Sequence, residues 1–492
     1  MRLLEILQDI EYEILQGEID IEIKGFTNDS RKVIEKGVFV CIKGAMSDGH
    51  TYAQAVAQAG VSAVVVEDEI TLPKGVTVIK VKDSRYALAL MSAAYYGYPA
   101  KKLRIIGITG TKGKTTTAYI IRNILKNAGY KVGLIGTIEA IIGEKHIPAK
   151  NTSPESIVIQ EYFKEMVEIG CEYVVMEVSS QGLKYHRTAG IPFEVGIFTN
   201  LAVDHIGENE HPDFEDYKYC KSLLFKQCKL GIGNIDDPYF KDMFKHATCK
   251  IQTIGLHEDA ELRAKDIELT REQGSLGVSY RTEGLISLEA KVKVPGNFSV
   301  YNSLMAIAVC VYLGIEKNKI EQALQSAKAK GRVELIEVSD EYTLMIDYAH
   351  NAMSLGSLLK TLREYHPKRL VCMFGCGGNR SKTRRYEMGE IAGNLADFTI
   401  ITSDNPRMEE PQAIIEDIKI GMKKTGGEYT EIADRKEAMK YAIVNGKPGD
   451  VIVFAGKGHE DYQEICGVKY DMDERVIIQE ILDEIGQAKG KV

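Results

Sequence analysis

The sequence lacks the features of membrane-spanning, secreted and disulfide-stabilised proteins. No apolar run reaches the roughly 18 residues that a membrane span needs, and the acidic amphipathic segment at residues 1–15 does not resemble a signal peptide. The nine cysteines are scattered and none forms a Cys-x-x-Cys pair, which is typical of proteins kept in a reducing compartment. We therefore expect a cytoplasmic protein with no membrane insertion.

The sequence also lacks a large excess of charge of either sign. It has 62 lysines and arginines against 70 aspartates and glutamates, for a net charge of −8, and the two signs are interspersed. Because nucleic acids and anionic membranes attract concentrated positive charge, this balance indicates no general affinity for either. A polyanionic ligand would need a local concentration of positive charge.

One glycine-rich stretch supplies that concentration. The apolar run at 103–108 predicts a buried strand, and a turn of small residues then opens a helix over about 115–127. The backbone N–H groups of residues 110–114 can point at phosphate oxygens, helped by the helix dipole. Lys114 would reach the β- and γ-phosphates of ATP, and the hydroxyl of Thr115 or Thr116 would hold Mg²⁺. The predicted phosphate-binding residues are Gly110, Thr111, Lys112, Gly113, Lys114, Thr115 and Thr116.

This stretch departs from the common phosphate-loop pattern at one position. Ile108 stands where that pattern has its first glycine. The alternative is a strand–helix turn with a chance Gly-Lys-Thr, but strand, turn and helix all fall where phosphate binding needs them. We therefore predict nucleotide binding.

Length and patterning indicate an α/β protein of three domains. A chain of 492 residues, 44% of them hydrophobic, exceeds one ordinary core, and we find no internal repeats, low-complexity tracts or heptads. We expect a small N-terminal α/β domain over 1–100, a central doubly wound P-loop ATPase domain over 101–331 and a C-terminal Rossmann-like domain over 332–492.

The N-terminal segment has strands without a phosphate loop. Strands are predicted at 38–42 and 63–66, with a helix over 52–59 between them. The preceding Asp29-Ser30-Arg31 stretch is either a ligand-contacting loop or an ordinary polar turn, and the residues alone favour neither.

Polar residues follow the predicted strands of the central segment, at 132–135, 173–178 and 195–198. In doubly wound sheets, ligands bind beyond the carboxyl ends of the strands. Glu177 can therefore place a carboxylate on the Mg²⁺, or it is an ordinary strand-end acid. His205 could ligate a second metal or be structural. Lys221 lies on an amphipathic helical segment, where its alternative is a solvated lysine.

A β-rich segment is predicted at 256–294, with turns at Gly274 and Gly284, and a helix follows at 303–313. The alternation of strands and helices restarts from about residue 332. Each strand of the C-terminal segment is followed by a polar or glycine-rich loop. The strands are predicted at 344–346, 370–374, 398–402 and 451–454, and their loops at 347–350, 375–380, 404–407 and 456–460.

Eight short motifs occur in an order that resembles the Mur ligase family, over all three predicted domains. They are Gly107-Ile-Thr-Gly-Thr-Lys-Gly-Lys-Thr-Thr-Thr117, Glu177-Val-Ser-Ser180, Asp204-His205, Tyr301-Asn302, Gly331-Arg332, Asp347-Tyr-Ala-His350, Asp404-Asn-Pro-Arg407 and Gly456-Lys-Gly-His-Glu460. The resemblance implies an ATP- and Mg²⁺-dependent amide ligase of peptidoglycan synthesis. Its implied substrates are UDP-N-acetylmuramoyl-L-alanyl-D-glutamate and a diamino acid, joined through an acyl phosphate. We expect it to act as a monomer.

The resemblance also implies roles for individual residues. Lys221 falls where the family has a carbamylated lysine, which supports a second Mg²⁺ beside His205. The predicted catalytic residues are therefore Lys114, Glu177, His205 and Lys221. Asn302, Arg332 and Asp347 fall where the family binds adenine, phosphate and ribose. Ser30 matches a contact to the UDP end, and the matches to residues that bind the muramoyl-dipeptide are Asn151, Thr152, Ser153, Ser179, Tyr185 and Arg187.

The loop Asp404-Asn405-Pro406-Arg407 predicts the amino acid. The Arg407 guanidinium can bind a carboxylate bidentately, and meso-diaminopimelate has a distal carboxylate that L-lysine lacks. Arg380 could bind the other carboxylate, and Glu460 with the Gly456 carbonyl could bind the distal ammonium. From the residues alone, an exposed arginine in an Asn-Pro turn is an equal alternative. The resemblance favours diaminopimelate.

Several positions depart from the family pattern. Lys112 replaces the usual asparagine, Asn351-Ala-Met-Ser replaces a Pro-Asp-Ser stretch, Gln181 replaces a histidine, and the loop at 204–211 is longer than usual. These departures leave open L-lysine or another acceptor, a ligase of the folylpolyglutamate or cyanophycin type, and a non-catalytic nucleotide-binding scaffold.

Overall fold

The computed structural model describes residues 1–44, 47–207, 210–272 and 274–489. The chain divides into two compact units. One comprises Met1–Glu261 and Ala308–Leu313, and the other comprises Leu262–Ile307 and Gly314–Val492. Among the described helices, none is both long and apolar enough to cross a membrane.

The first unit begins with a sheet in the order β1-β5-β4-β3-β2. Its strands are β1 (Tyr12–Gln16), β2 (Phe26–Thr27), β3 (Val38–Val40), β4 (Ala63–Val66) and β5 (Thr77–Val81). Successive residues of β3 and β4 belong to two different apolar clusters, so both faces of the sheet are covered. The helices are α1 (Leu3–Ile6), α2 (Ala53–Gln58) and α3 (Ser84–Tyr95), with 3-10 turns at Gly49–Tyr52 and Pro99–Lys102.

The second sheet of this unit runs β13-β12-β11-β6-β10-β7-β8-β9. All its pairings from β12–β13 to β7–β10 are parallel, whereas β8 and β9 add an antiparallel edge. Its strands are β6 (Arg104–Thr109), β7 (Val132–Ile135), β8 (Glu139–Ile142), β9 (Lys145–Pro148), β10 (Tyr173–Glu177), β11 (Phe193–Phe198), β12 (Cys228–Asn234) and β13 (Lys250–Gly255). Its helices are α4 (Lys114–Asn127), α5 (Ser156–Glu168), α6 (Ser180–Lys184), α7 (Phe214–Ser222) and α8 (Phe240–Phe244), with a 3-10 turn at Leu223–Lys226.

This strand order determines where the site forms. β6 lies between β11 and β10 and is parallel to both. Because parallel strands end at the same edge of a sheet, the loops after β6, β10 and β11 meet there.

The second unit begins with an antiparallel β-rich segment, as predicted. It contains β14 (Leu262–Glu272), β15 (Ser275–Gly284) and β16 (Glu289–Val292), and Gly274 and Gly284 have positive φ at the two predicted turns. Helix α9 (Asn297–Tyr312) follows, with its residues from Ala308 onward in the first unit, and then helix α10 (Lys317–Gln325). The helix predicted at 303–313 therefore begins six residues earlier, directly after Gly296.

The remaining sheet of this unit has the order β17-β18-β22-β19-β20-β21, and only β17 is antiparallel to its neighbour. The strands are β17 (Glu334–Ile336), β18 (Thr343–Asp347), β19 (Arg369–Phe374), β20 (Phe398–Ile401), β21 (Glu428–Glu431) and β22 (Asp450–Ala455), followed by the hairpin β23 (Tyr462–Ile465) and β24 (Val468–Asp471). The helices are α11 (Ala352–Arg363), α12 (Lys382–Leu395), α13 (Pro411–Met422), α14 (Arg435–Val444) and α15 (Glu474–Lys489). The predicted α/β class is confirmed, while the domain boundaries near residues 100 and 331 stay predictions.

Candidate active site

The glycine-rich loop between β6 and α4 is held from the side by the loop after β11. Gly110 and Gly113 have φ values of +145° and +85°, which favour glycine. A Cβ at Gly110 would lie only 1.9 Å from the Thr199 hydroxyl. Asn200 bonds the backbone of Lys112 twice, accepting from its N–H at 3.0 Å and donating to its carbonyl at 3.0 Å. The loop is therefore fixed at the N-terminus of a long helix, as an anion site requires.

Lys114 lies over this loop. Its Nζ donates to the carbonyl oxygens of Gly110 at 2.8 Å and Thr111 at 3.0 Å. The ammonium thus sits on the same loop whose N–H groups are predicted to hold phosphate. That Lys114 contacts the β- and γ-phosphates stays a prediction.

A hydroxyl and a carboxylate meet beside the loop. Thr115 Oγ1 lies 3.1 Å from Glu177 Oε2, and both residues are buried. Thr137, which the sequence reasoning missed, orients this carboxylate by donating its hydroxyl to Oε2 at 2.8 Å and its N–H to Oε1 at 3.0 Å. Hydroxyl and carboxylate oxygens are ligands that Mg²⁺ prefers, so this pair fits the predicted ion, and it favours Thr115 over Thr116.

Lys221 is buried, so the alternative of a solvated lysine is wrong. Its side chain is 2% exposed, and its Nζ donates to the Gly110 carbonyl at 2.9 Å and lies 4.6 Å from the centre of the Tyr217 ring. Burial, together with the nearby charge of Lys114, lowers the pKa of Lys221 well below its ordinary value. The ammonium form of Lys221 is therefore less favoured than that of a solvated lysine.

His205 lies on the exposed side of the same cluster. Its side chain is 56% exposed, its ring centre is 6.2 Å from that of Tyr217, and its Nδ1 is 3.3 Å from Glu210 Oε1. His205 is therefore a surface residue, and both of its predicted roles, metal ligand and structural histidine, stay predictions. Residues 208 and 209 of its loop lie outside the described residues.

Among the described residues, no group of three His, Cys, Asp or Glu side chains that could share a metal ion includes His205. The groups found there are Asp48, His50 and Asp68, and His211, Asp216 and Cys220. A metal ligand role for His205 and Lys221 stays a prediction.

The predicted dipeptide-binding residues gather beside Glu177. Ser153 Oγ donates to the Glu177 carbonyl at 3.1 Å and accepts from the Ser179 N–H at 2.9 Å. Arg187 donates to the Ser153 carbonyl at 3.0 Å and pairs with Glu155 at 2.6 Å, while its buried Nε has no hydrogen-bond partner in the described part of the chain. Ser153, Ser179 and Arg187 thus form one connected group next to the Mg²⁺ ligand candidates.

The other predicted substrate contacts of this unit have separate surroundings. Thr152 shares a 3.1 Å hydrogen bond with Thr137, and the Tyr185 ring lies 4.5 Å below the guanidinium of Arg85. Asn151 is exposed. Ser30 lies in a half-buried turn next to the ion pair of its two neighbours in sequence. Their contact with a substrate stays a prediction.

In the second unit, Arg332 and Asp347 lie near each other. The Asp347 carboxylate is buried and accepts from the N–H groups of Val333 and Ala349, each at 2.8 Å. Burial raises its pKa, whereas the charge of Arg332 opposes that rise. The Arg332 guanidinium lies 4.7 Å from the Tyr348 ring centre. Asn302 is buried on α9, and nucleotide contact by these three residues stays a prediction.

Tyr348 packs against the imidazole rings of His350 and His459, which the sequence analysis did not predict as site residues. The ring centres of His350 and His459 lie 4.6 Å and 4.7 Å from that of Tyr348. Burial lowers the pKa of His459 to about 3 and also lowers that of His350. At neutral pH both rings are therefore uncharged and lie against Tyr348, with His459 half-buried and His350 exposed.

The predicted amino-acid loops follow β19, β20 and β22 and are joined to one another. Arg407 Nη1 donates to the Gly378 carbonyl at 2.8 Å, and its Nε lies 3.2 Å from Glu464. Asn405 Nδ2 donates to Glu460 at 2.8 Å. Arg407 is thus a half-buried residue that joins these loops, and its contact with a substrate carboxylate stays a prediction.

The glycines of the loop after β19 allow this close approach. A Cβ at Gly378 would lie 1.8 Å from the Pro406 carbonyl oxygen, and the Gly378 N–H donates to the Asn405 carbonyl at 2.9 Å. Arg380 is exposed, Asp404 is buried, and a Cβ at Gly456 would lie 2.7 Å from the Asp404 carboxylate. Substrate contact by these residues stays a prediction.

Three family models match successive parts of the chain. They are the Mur ligase family catalytic domain over residues 22–96, the Mur ligase middle domain over 108–310 and the Mur ligase glutamate ligase domain over 331–458.

Curated relatives match the chain from end to end. The UDP-N-acetylmuramoyl-L-alanyl-D-glutamate–2,6-diaminopimelate ligase 1 of Clostridium acetobutylicum is 43% identical over 488 residues, which cover 99% of this chain and 100% of that protein. The UDP-N-acetylmuramoyl-L-alanyl-D-glutamate–2,6-diaminopimelate ligase of Caldanaerobacter subterraneus subsp. tengcongensis is 42% identical over 486 residues, which cover 98% of this chain and 99% of that protein. A solved structure of a UDP-N-acetylmuramoyl-L-alanyl-D-glutamate–2,6-diaminopimelate ligase has a TM-score of 0.73 at 29% identity, with 99% of both chains covered.

Proposed function

This chain belongs to the Mur ligase family, and from that premise we propose that it joins meso-diaminopimelate to UDP-N-acetylmuramoyl-L-alanyl-D-glutamate at the expense of ATP. The new amide links the side-chain carboxylate of D-glutamate to an amine of the diamino acid. The observation that supports this proposal most directly is the convergence of Lys114, Lys221 and the Thr115–Glu177 pair on one phosphate-binding loop.

The first half of the reaction is phosphoryl transfer to the glutamyl carboxylate. A carboxylate oxygen attacks the γ-phosphorus of ATP, the bond to the bridging oxygen breaks, and an acyl phosphate and ADP result. The N–H groups of the glycine-rich loop and Lys114 stabilise the negative charge of the transferred group. Bound at Thr115 and Glu177, Mg²⁺ would supply further positive charge to the phosphates.

The second half is amide formation. The neutral amine of the diamino acid attacks the acyl carbon and loses a proton, and phosphate leaves as the C–O bond breaks. Ser153, Ser179 and Arg187 hold the dipeptide next to the phosphate-binding loop, since all three are linked to each other and to the Glu177 backbone.

Lys221 works as a carbamate in this proposal. Formation of a carbamate requires attack of a neutral amine on CO₂ with loss of a proton, and the lowered pKa of Lys221 makes that form available. An ammonium among metal ions would be repelled, whereas a carbamate has the opposite charge and can support a cation.

Diaminopimelate is proposed from two independent supports. Both curated relatives are named for it, and Arg407 is held by Glu464 and the Gly378 carbonyl with its guanidinium plane fixed. A fixed guanidinium favours a substrate with a distal carboxylate over L-lysine.

The proposal is tested by ADP release with the purified chain, ATP, Mg²⁺, the UDP-muramoyl-dipeptide and a panel of amino acids. We expect release to require both the dipeptide and an amino acid, with the largest kcat/KM for meso-diaminopimelate. A preference for L-lysine would overturn the assigned amino acid alone. Activity with folates or poly-aspartate in place of the muramoyl substrate would overturn the assignment of UDP-muramoyl-dipeptide as the substrate. Absence of turnover with nucleotide binding intact would indicate a scaffold.

A further inference from the structure

The loop after β22 contains an ammonium group that is enclosed by protein. The Lys457 side chain is 0% exposed, and its Nζ lies 3.2 Å from Asn405 Oδ1 and 3.2 Å from Glu460 Oε2. The Tyr462 ring centre is 5.4 Å away. Burial of an ammonium is costly unless partners replace its water. Asn405 and Glu460 are the partners that replace it here.

Both partners of Lys457 belong to the predicted amino-acid site, and they also bond each other. Asn405 Nδ2 donates to Glu460 Oε2 at 2.8 Å. Asn405 Oδ1 accepts from Lys457 and from the Glu464 N–H at 2.9 Å, and two donors on this oxygen fix which way the amide points. Lys457, Asn405 and Glu460 therefore form a closed triangle of polar contacts.

This triangle links two loops that are not neighbours in the sheet. Asn405 follows β20 and Lys457 follows β22, and β19 lies between those strands. Arg435 separately joins the backbones where these loops begin: it donates to the carbonyl of Ser403, just after β20, at 3.1 Å and to that of Ala455, the last residue of β22, at 3.2 Å. Arg435, paired with the buried Glu474, thus joins the backbones. Lys457 instead contacts the side chains of Asn405 and Glu460.

We propose that Lys457 is a positioning residue that determines how the site binds the ammonium of the amino-acid substrate. Both side-chain bonds to Glu460 in the described part of the chain reach Oε2, so Oε1 is the oxygen assigned to that ammonium. Lys457 fixes the rotamer of Glu460 through their 3.2 Å contact, and it does not touch substrate because it is enclosed. This inference rests on the proposed function and adds a residue to its amino-acid site.

The test is steady-state kinetics of Lys457→Met in the full chain, since methionine keeps an unbranched side chain only one atom shorter and has no charge. We expect the KM for meso-diaminopimelate to rise at least about tenfold, as loss of a charge-assisted contact would give. The KM values for ATP and for the UDP-muramoyl-dipeptide should change by less than about twofold. The matched control is Lys469→Met, because Lys469 lies 3.8 Å from the same Tyr462 ring on an exposed strand; its constants should match wild type.

A double-mutant cycle with Glu460→Gln shows whether Lys457 acts through Glu460. We expect the double variant to be no worse than the more impaired single variant. Fully additive losses, an unchanged KM for diaminopimelate in Lys457→Met, or an equal rise in all three KM values would overturn the proposal. If Lys457→Met does not fold, the same three KM values are measured for Lys457→Gln, which keeps a hydrogen-bond donor but not the charge. A selective rise in the KM for diaminopimelate is again the expected result.

A wild-type enzyme that uses no amino acid would contradict the proposed function before any variant is made. A wild-type enzyme that uses diaminopimelate, combined with a Lys457→Met variant of unchanged KM, would contradict only the role of Lys457.

Discussion

Lys114 and Lys221 direct their side-chain nitrogens at the same oxygen atom, the carbonyl of Gly110, from 2.8 Å and 2.9 Å. Two ammonium groups that share one acceptor repel each other, and the buried one pays the larger desolvation cost. The lowered pKa of Lys221 reflects both effects. Lys221 is thus the buried member of the pair, and both its burial and the charge of Lys114 disfavour its ammonium form.

The Lys114→Ala variant should lose most turnover, because the cation directed at the transferred phosphoryl group is gone. A contact of this kind contributes about 3–4 kcal/mol, so kcat should fall about a hundred- to thousandfold. ADP release at saturating substrates measures this loss. Lys126→Ala is the control, because Lys126 lies exposed in the last turn of the same helix; equal rates for wild type and Lys114→Ala would mean that the loop does not hold the γ-phosphate.

Lys221→Ala should be nearly inactive and should regain part of its rate with a short carboxylic acid such as acetate. The added carboxylate replaces the carbamate that the variant cannot form. Wild-type enzyme prepared and assayed without CO₂ should also be slower, and bicarbonate should restore it. Lys226→Ala, an exposed change just beyond α7, should behave like wild type. An active Lys221→Ala variant that does not respond to acetate would refute the carbamate.

Arg407→Ala should discriminate between the two diamino acids. A charge-assisted hydrogen bond contributes about 1.5–3 kcal/mol, so kcat/KM for meso-diaminopimelate should fall at least about tenfold. Any weak activity with L-lysine should change much less, since lysine has no distal carboxylate. Met408→Ala alters the next, largely exposed residue and should leave both substrates unaffected. Equal losses for both amino acids would show that Arg407 only maintains the loop.

Acid should destabilise the protein partly through Glu409. Hydrogen bonds from Arg385 at 2.7 Å and 2.8 Å lower the Glu409 pKa from 4.5 to about 2. Because the folded pKa is depressed, the stabilisation is complete above about pH 4.5 and is lost as the pH falls towards 2. Melting temperatures should therefore fall less steeply over this window in Glu409→Gln than in wild type. The neighbouring exposed change Glu410→Gln should follow the wild-type curve, and a parallel curve for Glu409→Gln would contradict the assignment.

The sequence predicted the parts of the fold that depend on local pattern. The apolar run before Gly110, the small residues of the loop and the helix after it all appear where expected, because strand, turn and helix each have a short-range signal. The start of α9 was wrong by six residues. The sequence predicted a start at 303, whereas the helix begins at Asn297, directly after Gly296.

Tertiary contacts decided what the sequence left open. An amphipathic segment does not reveal what its face packs against, so the burial of Lys221 became visible only with Gly110 and Tyr217 beside it. Thr137 follows an ordinary strand, and its role comes from the adjacent β10 that carries Glu177. Lys457 lay inside a predicted motif, but its enclosure between two loops depends on the strand order.

The central claim is that the glutamyl carboxylate attacks ATP to form an acyl phosphate, which the amine then displaces. The most direct measurement uses UDP-muramoyl-dipeptide whose D-glutamyl side-chain carboxylate carries heavy oxygen, with ATP, Mg²⁺ and meso-diaminopimelate, and mass spectrometry of both products. The account predicts that one labelled oxygen appears in the released phosphate for each amide formed, since the C–O bond breaks after the P–O bond has formed. Unlabelled phosphate, released with or without amide, would contradict it.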